Sequence, residues 1–436
     1  MKAGFISLGC AKNLVDTEVM LGILQDNGIE LTPDPAEAEI IIVNTCAFIQ
    51  SAKEESITTV LNMAEYKETG CCRSLIIAGC LGERYHQELL DDMPEADAII
   101  GTGAWNRIME AVRETLAGNR IVLTGENEIV YDAKTPRILT TPAYTAYVKI
   151  AEGCDHRCAF CAIPAFRGSY LSRPVADIIA EARWLVEQGV KEVLLVSENT
   201  SSYGKDLPGV NLETLLPQLS RVDGLEWIRV SYLQPAEIRP GMLEVMLDTG
   251  KVVPYFDLSF QHAAPGVLRR MRRFGDPDSF LGLVERIRAV EPRAGIRSNV
   301  IAGFPGETES DVETLREFII DANLDFLGVF GYSDEEGTEG EGLDAHLDQA
   351  EVDARRELLA DVANMVCESR AAERVGERTV VLVEETGAGG ASGRAPHQGP
   401  ETDGVVELPG ADARIGQFIE VELIDATGID MVGEAR

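Results

Sequence analysis

The feature that most constrains this chain is the alternation of short apolar runs with stretches of helical periodicity. Runs of strand length recur at AGFISLG, EIIIVNT, RSLIIAG and DAIIG, and again at AYVKIA, EVLLVS, WIRVSY, YFDLSF, IRSNVIAG and FLGVFGY. Between them lie amphipathic stretches such as NLVDTEVMLGILQDNG, which ends at Gly28, PVADIIAEARWLVEQG, with Pro174 in its first turn, and DPDSFLGLVERIRAVE. Consecutive strands joined by helices form parallel sheets, because a parallel pair needs a crossover connection. The fold class is therefore α/β. The first four runs predict an N-terminal parallel-sheet domain over residues 1–135. The next six predict a partial (β/α)6 barrel over 143–372, two units short of a closed eight-stranded barrel. The segment DQAEVDARRELLADVANMVCESRAAERVG reads as a long helix closing that region.

Residues 376–436 follow a different pattern. TVVLVEE, GVVEL and FIEVELIDATGIDMVGEA are short strands separated by turn signals, which predicts a small antiparallel β-barrel of OB-like size. ETGAGGASGRAPHQG within it reads as a mobile hairpin loop, and GENEIVYDAKTPRILTTPAY, with Pro136 and Pro142, as the linker between the first two domains.

The cysteines fall where this architecture matters. Cys10, Cys46 and Cys80 each follow one of the first three strands. In a parallel sheet all three then lie on the carboxyl edge, where open α/β sheets bind ligands. Cys154, Cys158 and Cys161, spaced C-x3-C-x2-C, begin just after the first barrel strand, again at a carboxyl end.

Lys12, Asp16 and Glu18 interrupt any apolar leader, and no window is apolar enough to span a membrane. The chain is thus expected to be cytoplasmic, where thiols stay reduced. Its 9 cysteines then read as metal or redox ligands before disulfides. A formal net charge of −34 repels phosphate backbones, so nucleic acid is not expected as the main target and a basic protein partner is favoured. A general bias toward acidic surfaces explains the charge equally well.

Clustered thiolates hold iron–sulfur clusters, usually four to a cluster. A 4Fe–4S cluster bound by three leaves one iron open to a small molecule, as an open position does at catalytic zinc. A zinc site is the alternative, but it normally has two C-x2-C pairs or mixed Cys and His. His156 is the only histidine nearby and reads as a loop residue.

The C-x3-C-x2-C motif resembles that of the radical S-adenosylmethionine (SAM) enzymes. Phe160, before the third cysteine, fits the aromatic usual there. VSENTSSYG resembles the strand end that contacts the SAM methionine, and SNVIAGFPGETESD the glycine-containing strand end near the adenosine. Candidate SAM contacts are accordingly Phe160, Arg167, Glu198, Gln261 and Gly303. Two of them have a structural alternative, a strand-end ion pair for Glu198 and a loop role for Arg167.

SLGCAKNLVDTE, IIVNTCAFIQSAKEES and IIAGCLGERY resemble the methylthiotransferase family of radical SAM enzymes. The resemblance covers essentially the whole chain, including a C-terminal TRAM domain. It implies a second 4Fe–4S cluster on Cys10, Cys46 and Cys80. It also implies a reaction in which one cluster cleaves SAM reductively and the other supplies a methylated sulfur.

Two branches of the family compete. One modifies isopentenylated adenosine in tRNA. The other inserts a methylthio group at the β-carbon of an aspartate in small ribosomal subunit protein S twelve. GCAKNLVDTE (with Ala11 where Pro is usual), NTCAFI, EGCDHRCAFCAIPAFRG, DLSFQHAAPGVLRRMRR and GVFGYSDEEGT resemble the second. The tRNA branch has Gln-Met-Asn after the first cysteine and Gly-Gln-Asn-Val after the second barrel strand. This chain has Ala11-Lys12-Asn13 and Ser197-Glu198-Asn199-Thr200. From Glu373 to Arg436 five Arg and no Lys stand against thirteen acidic residues, which suits a basic protein partner better than tRNA. An electron donor such as flavodoxin or ferredoxin is implied. A non-catalytic iron–sulfur sensor is the non-enzyme alternative.

Cys71 and Cys72 read as surface thiols and Cys367 as a packing residue. The cluster Arg269, Arg270, Arg272 and Arg273 reads either as a group facing SAM or an acidic substrate, or as a solvated helix face.

Overall fold

A computed structural model describes residues 1–125 and 131–436 of the chain. Residues 126–130, within the expected linker, lie outside the described residues.

The N-terminal sheet contains β1 (Lys2–Ser7), β2 (Glu30–Leu31), β3 (Ile40–Thr45), β4 (Ser74–Gly79), β5 (Ala98–Ile100) and β6 (Ile121–Leu123). All are parallel, in the order β2-β1-β3-β4-β5-β6. β3 and β4 are buried throughout, so their near-continuous Ile and Val runs fill both faces, as a helix-covered parallel sheet requires. β2 and β6 are two and three residues long, too short to leave a sequence pattern.

After β7 (Thr145–Lys149) comes a small ribbon of β8 (Ala151–Glu152) and β9 (Leu171–Ser172). The barrel continues with β10 (Glu192–Val196), β11 (Trp227–Val230), β12 (Tyr255–Gln261), β13 (Gly295–Ala302) and β14 (Phe326–Gly331). Two parallel three-stranded sheets, β7-β10-β11 and β12-β13-β14, meet through single bridges at Ile228–Val252 and Leu233–Leu258. The expected six strands thus stand side by side in chain order as an open barrel. One core of aliphatic and aromatic side chains fills it and its helical jacket. The helix Gln349–Glu373 packs along β14.

The C-terminal strands are β15 (Arg378–Gly387), β16 (Gly390–Arg394), β17 (Val406–Pro409), β18 (Phe418–Thr427) and β19 (Asp430–Ala435), closed in the order β15-β16-β17-β19-β18. The expected barrel is all antiparallel, but β17 and β19 pair in parallel. β19 turns back from β18, and closing the barrel then sets it beside β17 in the same direction.

The stretch 385–399 is not the mobile loop expected of a Gly-rich sequence. Its first part is the β15–β16 hairpin, and Arg394, Ala395, His397 and Gln398 are buried. Partners distant in sequence order it: Arg394 pairs with Glu192 at 2.6 Å, and Arg229 Nη1 donates to the Pro396 carbonyl at 2.8 Å. Residues 131–144 likewise act as a clasp. Buried Arg137 pairs with Glu18 of the first helix at 2.6 Å and with Glu181 of a barrel helix at 2.5 Å.

No helix among the described residues is long and apolar enough to cross a membrane.

Candidate functional site

β1, β3 and β4 are neighbours in the sheet, and Cys10, Cys46 and Cys80 follow their carboxyl ends. Cys10 caps the helix Ala11–Asp26, and Cys80 begins the helix Cys80–Asp92. The turn into Cys80 needs glycine. Gly79 has φ +91°, and a Cβ there would meet Asn44 Oδ1 and the Thr45 carbonyl. Gly153 does the same before Cys154, with φ +72° and carbonyl oxygens of residues 167–169 where a side chain would go.

Cys154, Cys158 and Cys161 lie on the loop after the β8 strand, ahead of the short helix Ile163–Arg167. The loop is tied at both ends: Cys154 N donates to Gly168 O at 3.1 Å, and Cys161 N to Cys158 O at 3.0 Å. The Ala159 backbone bonds Met271 at 3.1 Å and Gly340 at 2.6 Å.

Burial pushes Cys154 up to about 11 and Cys161 to about 12, each raised further by the charge of Cys158. Burial also pushes Cys80 to about 12 against the pull of Arg167. Such thiols become thiolates only when a cation shares the pocket, and metal binding then releases protons. Among the described residues no set of three or more Cys, His, Asp or Glu is arranged to hold a single metal ion. The members of each trio nevertheless lie within electrostatic reach of one another. The donor set itself, three cysteines with no histidine among them, fits a four-iron cubane with one open iron better than a structural zinc centre, which takes four ligands.

Between the trios lies a buried charged network. Arg167 Nη1 pairs with Asp16 at 3.0 Å and Glu152 at 2.9 Å; its Nη2 bonds Asn13 Oδ1 and lies 3.5 Å from Cys80 Sγ. Lys149 pairs with the same two carboxylates. Arg167 therefore ties the barrel loop to the N-terminal cysteine edge.

Glu198 follows β10, and both its carboxylate oxygens are out of solvent with no hydrogen-bond partner among the described residues. Burial, and then the charge of Glu152, push it up to about 7. Its charge in turn raises Cys154. An unpartnered carboxylate beside that trio is what the ammonium of SAM would need. Phe160 packs on the cluster formed by Ala159, Ala264, Val267, Met271, Phe304 and Tyr332. Gln261 ends β12 at φ +70° after a register shift in the strand. Gly303 donates its amide to Glu307 at 3.0 Å, and its α-carbon faces Val352.

Of the arginine cluster, Arg270 bonds the Pro305 carbonyl at 2.8 Å, Arg272 pairs with Glu339 at 2.5 Å, and buried Arg273 bonds Gln234 and lies 3.9 Å from Cys158 Sγ. Arg269 is exposed. His156 Nε2 lies 2.6 Å from Glu237 Oε1. Cys71 is exposed, but Cys72 is buried, contrary to its expected surface position, because it packs beneath β4 in the sheet's lower core. Cys367 is buried in the long helix as expected.

Sequence reasoning missed Asn13, Asp16, Lys149 and Glu152 as parts of the site. A signal existed for two of them: Cys10, Asn13 and Asp16 recur every third residue and share one helix face.

All three parts of the chain line one cavity of about 360 Å³. Its walls include Cys10 from the N-terminal domain, Tyr232, Asp257 and Asn299 from the barrel, and Glu401 and Thr402 from the C-terminal domain.

Comparison with known proteins agrees with this arrangement. Residues 2–101 match an uncharacterised protein family (UPF0004), residues 148–319 the radical SAM superfamily, and residues 375–435 the TRAM domain. The ribosomal protein uS12 methylthiotransferase RimO of Cutibacterium acnes is 49% identical, over 99% of this chain and 97% of that protein. The protein of the same name from a Nocardioides species is 47% identical, over 99% and 96%. Among solved structures, the radical SAM methyltransferase TsrM of Kitasatospora setae superposes with a TM-score of 0.56 at 13% identity, over 76% of this chain and 72% of that one, which is a likeness of fold.

Proposed function

The chain belongs to the family of ribosomal protein uS12 methylthiotransferases within the radical SAM superfamily, and from that premise we propose that it places a methylthio group on the β-carbon of an aspartate in uS12 (S twelve). The observation that carries the reading is the meeting of two cysteine trios around one buried, partly unpartnered set of charges. In this reading Cys154, Cys158 and Cys161 hold one 4Fe–4S cluster and Cys10, Cys46 and Cys80 another. When bound, the clusters and SAM supply the electron, the radical and the methylated sulfur.

The chain's own residues bind and shield. Glu198 accepts the SAM ammonium, and Phe160 packs the floor beside the cluster loop. Gln261 and Gly303, at the ends of β12 and β13, border the same side. Arg167 holds Cys80 and the barrel loop in one frame. The cavity walls keep water from a reactive carbon, with residues 400–402 of the TRAM domain closing one side. The reading further includes domains near 1–135, 143–372 and 376–436, cytoplasmic location and an electron donor of the flavodoxin or ferredoxin class. The acidic C-terminal domain disfavours the tRNA alternative.

Mass spectrometry of uS12 and of tRNA from cells with and without the gene tests the substrate: the methylthio group should vanish from uS12 and persist on tRNA. Anaerobic reconstitution should give about eight irons per chain, two clusters' worth. Alanine at Cys154, Cys158 and Cys161 should abolish SAM cleavage, whereas alanine at Cys10, Cys46 and Cys80 should stop sulfur insertion alone.

A further inference from the structure

Lys12 is a buried cation that the proposed reaction has not used. It is 7% exposed. Among the described residues its ammonium makes no hydrogen bond or ion pair; it rests on the ring of Tyr232, 3.9 Å from the centroid. Buried lysines are otherwise matched in this chain: Lys149 has Asp16 and Glu152, and Lys53 has Glu335 at 2.9 Å. A ring face is a weak partner for a mostly buried ammonium and leaves its three N–H donors free for an anion. Lys12 is therefore set for an anion that arrives with a ligand.

Three placements say which anion. Lys12 is two residues from Cys10, and both Cys10 and Tyr232 form the wall of the shared cavity. Glu198, the unpartnered carboxylate, lies close enough to Lys12 to feel its charge yet forms no ion pair with it. Two opposite charges that lie within reach of each other without pairing suit two ligand groups of opposite sign. Glu198 belongs to the Cys154 side and Lys12 to the Cys10 side, where the sulfur would be delivered.

We propose that Lys12 binds the side-chain carboxylate of the target aspartate and so sets its β-carbon beside the sulfur held at the Cys10 edge. The carboxylate carbon is bonded directly to the β-carbon, so fixing one fixes the other to within a bond. Lys12 is a specificity-determining residue in this scheme. The inference rests on the uS12 reading above.

The test uses the reconstituted holoenzyme and two peptides of the uS12 target loop, one with the aspartate and one with asparagine in its place. Binding is measured by fluorescence anisotropy, and KM and kcat by mass spectrometry. The wild type should bind the aspartate peptide about ten- to a hundredfold more tightly, the range expected of a charge-assisted hydrogen bond. Lys12→Met should erase that preference and raise the peptide KM, while Lys12→Arg should keep part of it. Equal binding of the two peptides by the wild type would overturn the proposal without any variant. So would a Lys12→Met enzyme that still prefers aspartate, or one whose loss lies in the KM for SAM while peptide binding is unchanged. If the wild type methylthiolates neither the peptide nor uS12, the functional reading itself fails, which is a separate outcome.

Discussion

Replacing Glu198 by glutamine should strengthen the fold and weaken the enzyme. In the ligand-free protein both carboxylate oxygens are buried without partners. Burial, with help from Glu152, moves this carboxyl from the ordinary 4.5 to about 7. That rise corresponds to roughly 3 kcal/mol of disfavoured charge. Between those two values the native protein holds a proton that the unfolded chain has released. Wild-type stability from this group is therefore present at low pH, falls as the pH rises from about 4.5 to 7, and is flat above. Glutamine has no such slope.

The stability of Glu198→Gln relative to wild type should thus grow by roughly 3 kcal/mol between pH 4.5 and pH 8, whatever constant the amide itself contributes. Urea denaturation of the ligand-free proteins at several pH values reads this difference. In the same variant the carboxylate that would meet the SAM ammonium is gone, so SAM affinity of the reconstituted protein should fall about ten- to a hundredfold. The two effects have opposite sign, as expected of a site held ready at the expense of stability. A stability difference that is flat across pH, or unchanged SAM affinity, would refute the reasoning.

Arg394→Met should cost about 3–5 kcal/mol, because it leaves Glu192 buried with one partner fewer; earlier proteolysis of the C-terminal barrel along a urea series would register it. In the wild type burial would push Glu192 up, but Arg394 and Arg229 hold it at about 2. Its contribution should be complete above about pH 4.5 and lost as the pH falls toward 2, a slope absent in Glu192→Gln when urea midpoints are compared. Gly79→Ala should lower the iron bound at the N-terminal edge while leaving SAM cleavage intact, since its Cβ would displace Asn44 and the Thr45 carbonyl beneath Cys80.

How far the sequence could be read depended on the range of the forces involved. β3 and β10 showed themselves because their runs of Ile, Leu and Val are buried on both faces, and that need is local. β2 and β6, two and three residues long, add an edge strand at each side of the sheet through pairing alone and leave no pattern of their own. The same division runs through the site. The cysteines were legible because three soft ligands after a strand have few other uses, and their strand-end positions follow from connectivity. Arg394 and His397 were misread because a Gly-rich stretch looks solvated until Glu192 and Arg229, about two hundred residues away, are seen beneath it. Lys12 was in plain view beside Cys10. Nothing in one sequence distinguishes a lysine that will find a carboxylate from one that will not, since the missing partner is a fact about every other element of the fold. Whether a charge is satisfied is the last thing folding decides, and among the described residues Glu198 keeps a buried carboxylate without a hydrogen bond and Lys12 an ammonium without an ion pair, on the side where ligands are proposed to bind.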